Sequence, residues 1–293
     1  MKAFLQRHRL VVFFVFAFLL SWYPWIIALT RSRTSGPNPL GPLVAGIIVT
    51  AIVSGRSGLR EFFSRLVRWR VALKWYVLVF ATPVLICLIA VAITLCFVHD
   101  LHVSGVSIEK LRELPERFLF ILLFVGLGEE PGWRGFALPQ LQTKHSPLMA
   151  SLILAPIWAL WHVPLVGNEF PLPIVAPFVL SVFGGTFMLT WIFNGTGGSV
   201  LLPMLFHANI NTIGAGLIFP LFPSVALVLL WWIYGVVWLC IGLGVLVFSA
   251  RKKAPSDDRK NSTEGNKENK VPMAARESLT SGLRLSLPSF PPV

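Results

Sequence analysis

Three ionisable residues lie close together in an otherwise apolar stretch of the sequence. The segment from Leu122 to Gly135 contains Glu129, Glu130 and Arg134. A charge at the centre of a bilayer costs roughly 2.5–3.5 kcal/mol on insertion scales, so such residues are candidates for a functional site. Glu130 and Arg134 are four positions apart, share one helical face and can form an ion pair. Glu129 points to another face, and we predict that its carboxylate is a general base.

Two later segments carry further polar groups. His162 follows Trp158 by four positions, and His207 and Asn211 have the same spacing in a third apolar segment. The last two share a helical face, from which they can donate hydrogen bonds to a developing oxyanion. A single intramembrane His or Asn more often bonds one helix to another. At about 1.5 Å of rise per residue, however, Glu129, His162 and His207 fall near one central layer of a bilayer, which favours a common site.

The elements that carry these groups are predicted to be membrane-spanning helices. Of the 293 residues, 55% are hydrophobic and 13% are charged, and the mean hydropathy is +0.73. A helix needs about 20 apolar residues to cross the hydrocarbon core. We expect an all-α, polytopic transmembrane helical bundle of about eight spans with a hydrated intramembrane active site. The expected spans lie near residues 10–29, 39–54, 73–98, 118–141, 148–166, 173–193, 197–218 and 224–249.

Glycine, proline and tryptophan surround the acidic residues. Glycines and a proline between Gly126 and Gly135 weaken the helical ladder there. Irregular backbone at membrane depth persists only where protein buries it or where it lines a wet cavity, so we expect a hydrated pocket. Trp133, Trp158 and Trp161 either wall that pocket or face lipid, and their positions favour neither alternative.

The distribution of charge predicts the orientation of the chain. The formal net charge is +12, and an inward N-terminus places most Lys and Arg inside, notably in residues 56–75. We expect a bacterial plasma membrane, both termini in the cytoplasm and no nucleic-acid partner. Residues 56–75 form either a short interfacial helix or a positively charged loop. We predict a transmembrane domain over residues 1–250 and a disordered cytoplasmic tail over 251–293.

Over residues 115–215 the chain resembles the CPBP intramembrane protease family, which includes the type II CAAX prenyl endopeptidases and the bacterial Abi proteins. It departs from the family pattern at Trp158, where many members have phenylalanine, and Pro131-Gly132 can bend the helix of the first motif. The resemblance rests on three ordered motifs, Glu129-Glu130-x-x-x-Arg134, Trp158-x-x-x-His162 and His207-x-x-x-Asn211.

This resemblance implies an endopeptidase that hydrolyses a peptide bond inside the membrane. Glu129 and His162 would activate a water molecule, while His207 and Asn211 would stabilise the tetrahedral oxyanion. The ion pair beside Glu129 would support that geometry. The implied partners are the lipid bilayer and a peptide or protein substrate, which for some members of the family is a prenylated C-terminal peptide.

The cofactor and the class of protein stay open at this point. Glu129, His162 and His207 could fill three positions of a Zn²⁺ site, as the metalloprotease label implies, and leave the fourth for water. The HExxH motif is absent, so a metal-free, glutamate-type mechanism is favoured. A membrane transporter with a polar site at the midplane is an alternative, although no inverted repeat is found. A non-enzymatic immunity or scaffold protein is another.

Overall fold

The computed structural model describes residues 2–31, 33, 35–98 and 105–253, and within this part of the chain the regular structure is helical. The exception is an isolated bridge between Val166 and Phe170. The expected all-α bundle is therefore confirmed, whereas the predicted tail lies outside the described residues from Ala254 onward. The helices are α1 (Lys2–Arg7), α2 (Arg9–Thr30), α3 (Gly41–Leu66), α4 (Leu73–Phe97), α5 (Ile108–Ile121), α6 (Leu127–Glu130), α7 (Leu138–Gln142), α8 (Pro147–Trp161), α9 (Leu172–Gly195), α10 (Leu201–Ile213) and α11 (Ser224–Lys253).

Seven helices of the described ranges are long and apolar enough to cross a membrane. They correspond to seven of the expected spans, and their ends agree with the sequence prediction to within a few residues except for the second span. This arrangement is that of a multi-pass membrane protein. The seven are Arg9–Thr30, Gly41–Leu66, Leu73–Phe97, Pro147–Leu165, Leu172–Gly195, Leu201–Leu221 and Ser224–Ser249.

The expected span near residues 118–141 differs from the others because it is divided into short pieces. The chain is helical throughout from Ile108 to Gln142, but π-helical stretches at Leu122–Gly126 and Pro131–Ala137 separate α5, α6 and α7. A π-bulge widens the helical turn and is frequent at functional sites. We call this segment, Ile108–Gln142, the irregular run. No single piece of it has the length of a span.

Helix α3 extends beyond the expected span because it continues past a kink. At the kink, Gly55 adopts φ 62° and ψ −151°, a conformation that is essentially restricted to glycine. Residues 56–66 then form a further helical segment, on which Phe62 is buried while Arg56 and Arg60 are exposed. The helical alternative for residues 56–75 is therefore confirmed as far as Leu66.

Two glycines of the irregular run allow the start of α3 to approach very closely. A Cβ atom added at Gly128 would lie 2.4 Å from the carbonyl oxygen of Pro39, and one added at Gly132 would lie 2.4 Å from that of Pro42. The two glycines are four positions apart and share a helical face. They serve close packing, a role that the sequence analysis did not identify.

A cluster of aromatic rings from α2, α8 and the irregular run packs together, apart from the contact with α3. The Trp133 ring is fully buried and packs edge-on against the rings of Phe13 and Trp161, with centroids 5.7 and 6.2 Å away. Phe13 also packs against Phe136, 4.9 Å away. Because α2 and α8 contribute to this cluster, the irregular run is held between regular helices. The second π-helical stretch, Pro131–Ala137, is buried throughout, as expected for irregular backbone at membrane depth. In the first stretch, Leu122–Gly126, only Gly126 is buried.

Candidate active site

All four residues predicted to be catalytic line one cavity of about 680 Å³. Glu129 comes from α6, His162 directly follows α8, and His207 and Asn211 lie one turn apart on α10. The side chains of Glu129 and His207 are almost fully buried. The structure therefore brings together groups that the sequence placed at one depth in three separate segments.

The tryptophans beside the acids are buried, and none of them faces outward. Trp158 and Trp161 line the cavity, whereas Trp133 lies behind it with no exposed surface. The alternative that these rings face lipid is wrong. The alternative that these tryptophans form the wall of the pocket is correct for Trp158 and Trp161.

A buried ionic cluster lies beside the cavity. Arg134 Nη1 donates to Glu130 Oε1 at 2.9 Å, and neither side chain has exposed surface. The ion pair expected from the sequence is thus present. His207 Nδ1 approaches the same Glu130 oxygen at 2.8 Å. The sequence contained no signal for this second contact, because the two residues are 77 positions apart.

The charges of this cluster favour a protonated His207. Glu129 and Glu130 would bring two negative charges into a buried region that holds one guanidinium, that of Arg134. An imidazolium at His207 would balance them, and buried charges are stable only when they are paired. In that form both ring nitrogens carry a proton. Nδ1 then donates to Glu130 while Nε2 remains a donor.

Glu129 has a different set of neighbours. Its Oε2 accepts a hydrogen bond of 2.8 Å from Trp158 Nε1. Within the described part of the chain, Oε1 takes no hydrogen bond and neither oxygen joins an ion pair. The tryptophan donor was not foreseen from the sequence. One carboxylate oxygen is therefore fixed and the other keeps its capacity to accept a proton.

His162 is held by the end of its own helix. Its Nδ1 lies 2.7 Å from the Trp158 carbonyl oxygen, one of the carbonyls that a helix C-terminus leaves without an intrahelical partner. A carbonyl can only accept, so Nδ1 carries the proton and, in the neutral ring, Nε2 is an acceptor. The ring packs against Trp161 and Phe178, which supports this neutral form.

The remainder of the cavity lining is largely apolar and aromatic. Among the described residues, its two other charged side chains are Arg117 and Glu169. Neither residue was predicted from the sequence to line the cavity; Arg117 lies on α5 and Glu169 in the turn before α9. The further aromatic lining residues include Phe170, Phe178, Phe219, Phe222 and Trp231.

Glu129, His162 and His207 are the possible zinc ligands suggested by the sequence. Among the described residues, no group of three or more His, Cys, Asp or Glu side chains is arranged to hold a metal ion. Glu130 engages His207 Nδ1, and the Trp158 carbonyl engages His162 Nδ1. Each contact leaves Nε2 of its histidine available, and metal-bound histidines make such contacts too, so the preference for a metal-free mechanism stays a prediction.

Comparison with known proteins identifies the segment that carries this site. Residues 112–213 match the family model described as type II CAAX prenyl endopeptidase Rce1-like. The resemblance expected from the sequence is confirmed, since this part of the chain is similar to the Rce1-like family. The Rce1-like segment contains all four cavity-lining candidates together with Glu130 and Arg134.

A relative extends the likeness beyond that segment. The protein named CAAX prenyl protease 2 from Methanococcus maripaludis is 26% identical to this chain over 223 residues, covering 68% of this chain and 82% of the relative. Together the two likenesses support an intramembrane endopeptidase.

Proposed function

We propose that this intramembrane endopeptidase uses Glu129 and His162 to activate a water molecule and His207 and Asn211 to stabilise the oxyanion. The observation that carries the proposal is that these four side chains line a single cavity. Acyl transfer to water requires a base near the water and separate donors near the carbonyl oxygen. The two acceptors lie on α6 and after α8, while the two donors share one face of α10.

In the first step the water oxygen attacks the carbonyl carbon of the scissile bond. One water proton moves to Glu129 Oε1, while His162 Nε2 accepts a hydrogen bond that orients the water. The electron pair of the carbonyl double bond moves to its oxygen. That oxyanion receives hydrogen bonds from His207 Nε2 and from the Asn211 amide.

In the second step the tetrahedral intermediate collapses. The carbonyl double bond re-forms, the C–N bond breaks and its electron pair stays with nitrogen. Glu129 returns its proton to that nitrogen, so the products are a carboxylic acid and an amine. Glu129 ends as the carboxylate with which it began, and no step uses a metal.

The lining of the cavity supports a lipid-modified peptide as the substrate. Its aromatic wall offers an apolar surface to a prenyl group, and ligand sites of this size combine such walls with a few polar groups. The name of the relative, CAAX prenyl protease 2, agrees with this substrate class. We propose a prenylated peptide cleaved near its C-terminus.

The test uses the purified full chain in detergent and a fluorogenic peptide with a farnesylated cysteine three residues before a free carboxylate. Glu129→Gln is expected to lower kcat by about 10²- to 10⁴-fold, the usual contribution of general acid–base catalysis. The matched control is Glu109→Gln, which alters an exposed residue that does not line the cavity. Circular dichroism and melting temperature establish that each variant is folded.

Two further arms distinguish the parts of the proposal. The same peptide without its prenyl group should be cleaved less efficiently if the aromatic wall binds that group. Treatment with 1,10-phenanthroline should leave activity unchanged, and loss of activity that Zn²⁺ restores would contradict the metal-free steps. If the wild type cleaves no peptide, or if Glu129→Gln is fully active, the protease assignment fails and transport assays become the next test.

A further inference from the structure

Trp158 contacts both of the groups proposed to activate water. Its indole Nε1 donates to Glu129 Oε2 at 2.8 Å, and its carbonyl oxygen accepts from His162 Nδ1 at 2.7 Å. Trp158 is 6% exposed; its bond to Glu129 is buried and its bond to His162 is partly buried. One residue therefore joins α6 to the end of α8 at the point where the two acceptors face the cavity.

The hydrogen-bonding chemistry of the two contacts gives them an orienting effect. An indole N–H can only donate, so it holds Glu129 as an acceptor and fixes the direction of Oε1. The Trp158 carbonyl oxygen can only accept a hydrogen bond, so the proton of a neutral His162 ring is on Nδ1 and Nε2 has none. Both remaining lone pairs then belong to groups that line the same cavity.

The indole ring is itself confined by the ionic cluster. The Arg134 guanidinium carbon lies 4.1 Å from the centroid of the Trp158 ring, within the range of a cation–π contact. The ring of His207 packs edge-on at 5.6 Å. The buried group of Glu130, Arg134 and His207 thus holds the Trp158 ring in place. Through that ring, the ion pair of Glu130 and Arg134 helps to position Glu129.

We infer that Trp158 is a positioning residue, whose indole N–H aligns Glu129 with His162 for attack on the substrate, and this inference rests on the proposed function. Many members of the CPBP family, which this chain resembles, have phenylalanine at this position. A phenylalanine ring would fill much of the same space but could not donate a hydrogen bond. The positioning of Glu129 therefore depends on the indole N–H of this tryptophan and not on an aromatic ring in general.

The sharpest test removes the donor and keeps the shape. Replacing Trp158 by 3-benzothienylalanine exchanges the indole N–H for sulfur at nearly constant size, and Trp158→Phe provides a second variant without a donor. Each is expected to lower kcat by roughly 10- to 100-fold with little change in KM, the range that follows from losing a hydrogen bond to a charged group. A purely structural role would not separate kcat from KM in this way.

The matched control is the same replacement at Trp133. That residue is fully buried nearby, and its Nε1 has no hydrogen-bond partner among the described residues. Loss of its N–H should therefore leave kcat unchanged. If the Trp133 and Trp158 replacements have equal effects, or if both Trp158 variants keep wild-type kcat, the positioning role is wrong even though the protease assignment stands.

A second readout does not depend on activity. The indole ¹H–¹⁵N signal of Trp158, recorded on the full chain in detergent, should shift upfield in Glu129→Ala because the hydrogen bond to the carboxylate is lost. The Trp133 signal should shift much less. An unmoved Trp158 signal would overturn the inference whatever the kinetics show, whereas a wild type that cleaves nothing would overturn the proposed function and the kinetic role of Trp158 together.

Discussion

Two asparagines two positions apart on α10 have different surroundings. Asn209 is buried and donates to the carbonyl oxygens of Val79 and Phe80 at 3.2 and 2.9 Å, which bonds α10 to α4. Asn211 lines the cavity, and its side chain makes no hydrogen bond with any described residue. The first has the helix-bonding role common for intramembrane asparagines, and the second keeps its amide available for substrate.

This contrast predicts that the two side chains can be separated by measurement. Asn211→Ala should lower kcat by about 10²- to 10³-fold, as loss of an oxyanion donor does, and leave the melting temperature unchanged. Asn209→Ala should lower the melting temperature, because two buried carbonyls lose their donor, and retain most of kcat in the folded fraction. Kinetics and thermal melting of both variants provide the check. The reverse pattern would remove Asn211 from the proposed mechanism.

At the scale of helices, α9 and α11 pack with their backbones in near contact. A Cβ atom at Gly242 would lie 2.3 Å from the carbonyl oxygen of Gly184, and one at Gly235 would lie 2.4 Å from that of Pro177. Small residues permit such approach between helices, where van der Waals packing replaces the hydrophobic drive that water would supply. This pair forms one wall of the bundle, and residues of both helices line the cavity.

We predict that a single methyl group disturbs this helix pair at one position and not at another. Gly242→Ala should lower the unfolding free energy by about 1–3 kcal/mol, because the added atom meets backbone that cannot move aside. Gly244→Ala is the control, since no atom lies within 4 Å of its added Cβ. That variant should be neutral or gain up to about 1 kcal/mol. Unfolding in mixed detergent micelles measures both, and equal effects would contradict the close packing.

At the scale of the molecule, the basic segment after the α3 kink has a structural role as well as a topological one. Arg65 Nη1 donates to the Gly135 carbonyl oxygen at 3.1 Å, in the second π-helical stretch of the irregular run that carries Glu129. Arg68 donates to the Gly197 carbonyl oxygen, in the loop before α10. The segment expected on the cytoplasmic side therefore connects the two elements that carry the proposed base and the proposed oxyanion donors.

The orientation of the whole chain gives a prediction about accessibility. In a background without native cysteines, Glu109→Cys should react with a membrane-impermeant maleimide in intact cells, because the positive-inside rule places it outside. Ser57→Cys and Thr143→Cys should react only after the membrane is permeabilised. All three positions are exposed in the structure. Labelling of Thr143→Cys from outside would show that the irregular run does not cross the membrane. The native cysteines to be replaced are Cys87, Cys96 and Cys240.

Much of the architecture and part of the site followed from sequence alone. Runs of apolar residues located the spans, because length and hydropathy are what a bilayer selects. Helical spacing placed Glu130 beside Arg134, and depth placed Glu129, His162 and His207 in one layer. These relations depend only on positions along single helices, and the structure contains them all.

The contacts between helices were decided only by the tertiary structure. In water an apolar stripe reveals which helical face turns inward, but in lipid the outward face is apolar too, so periodicity does not reveal the rotation of a helix. The bond from Trp158 to Glu129 and the bond from His207 to Glu130 both depend on such rotations. Sequence determined which groups this protein holds at membrane depth, and the packing of the helices decided which of them meet.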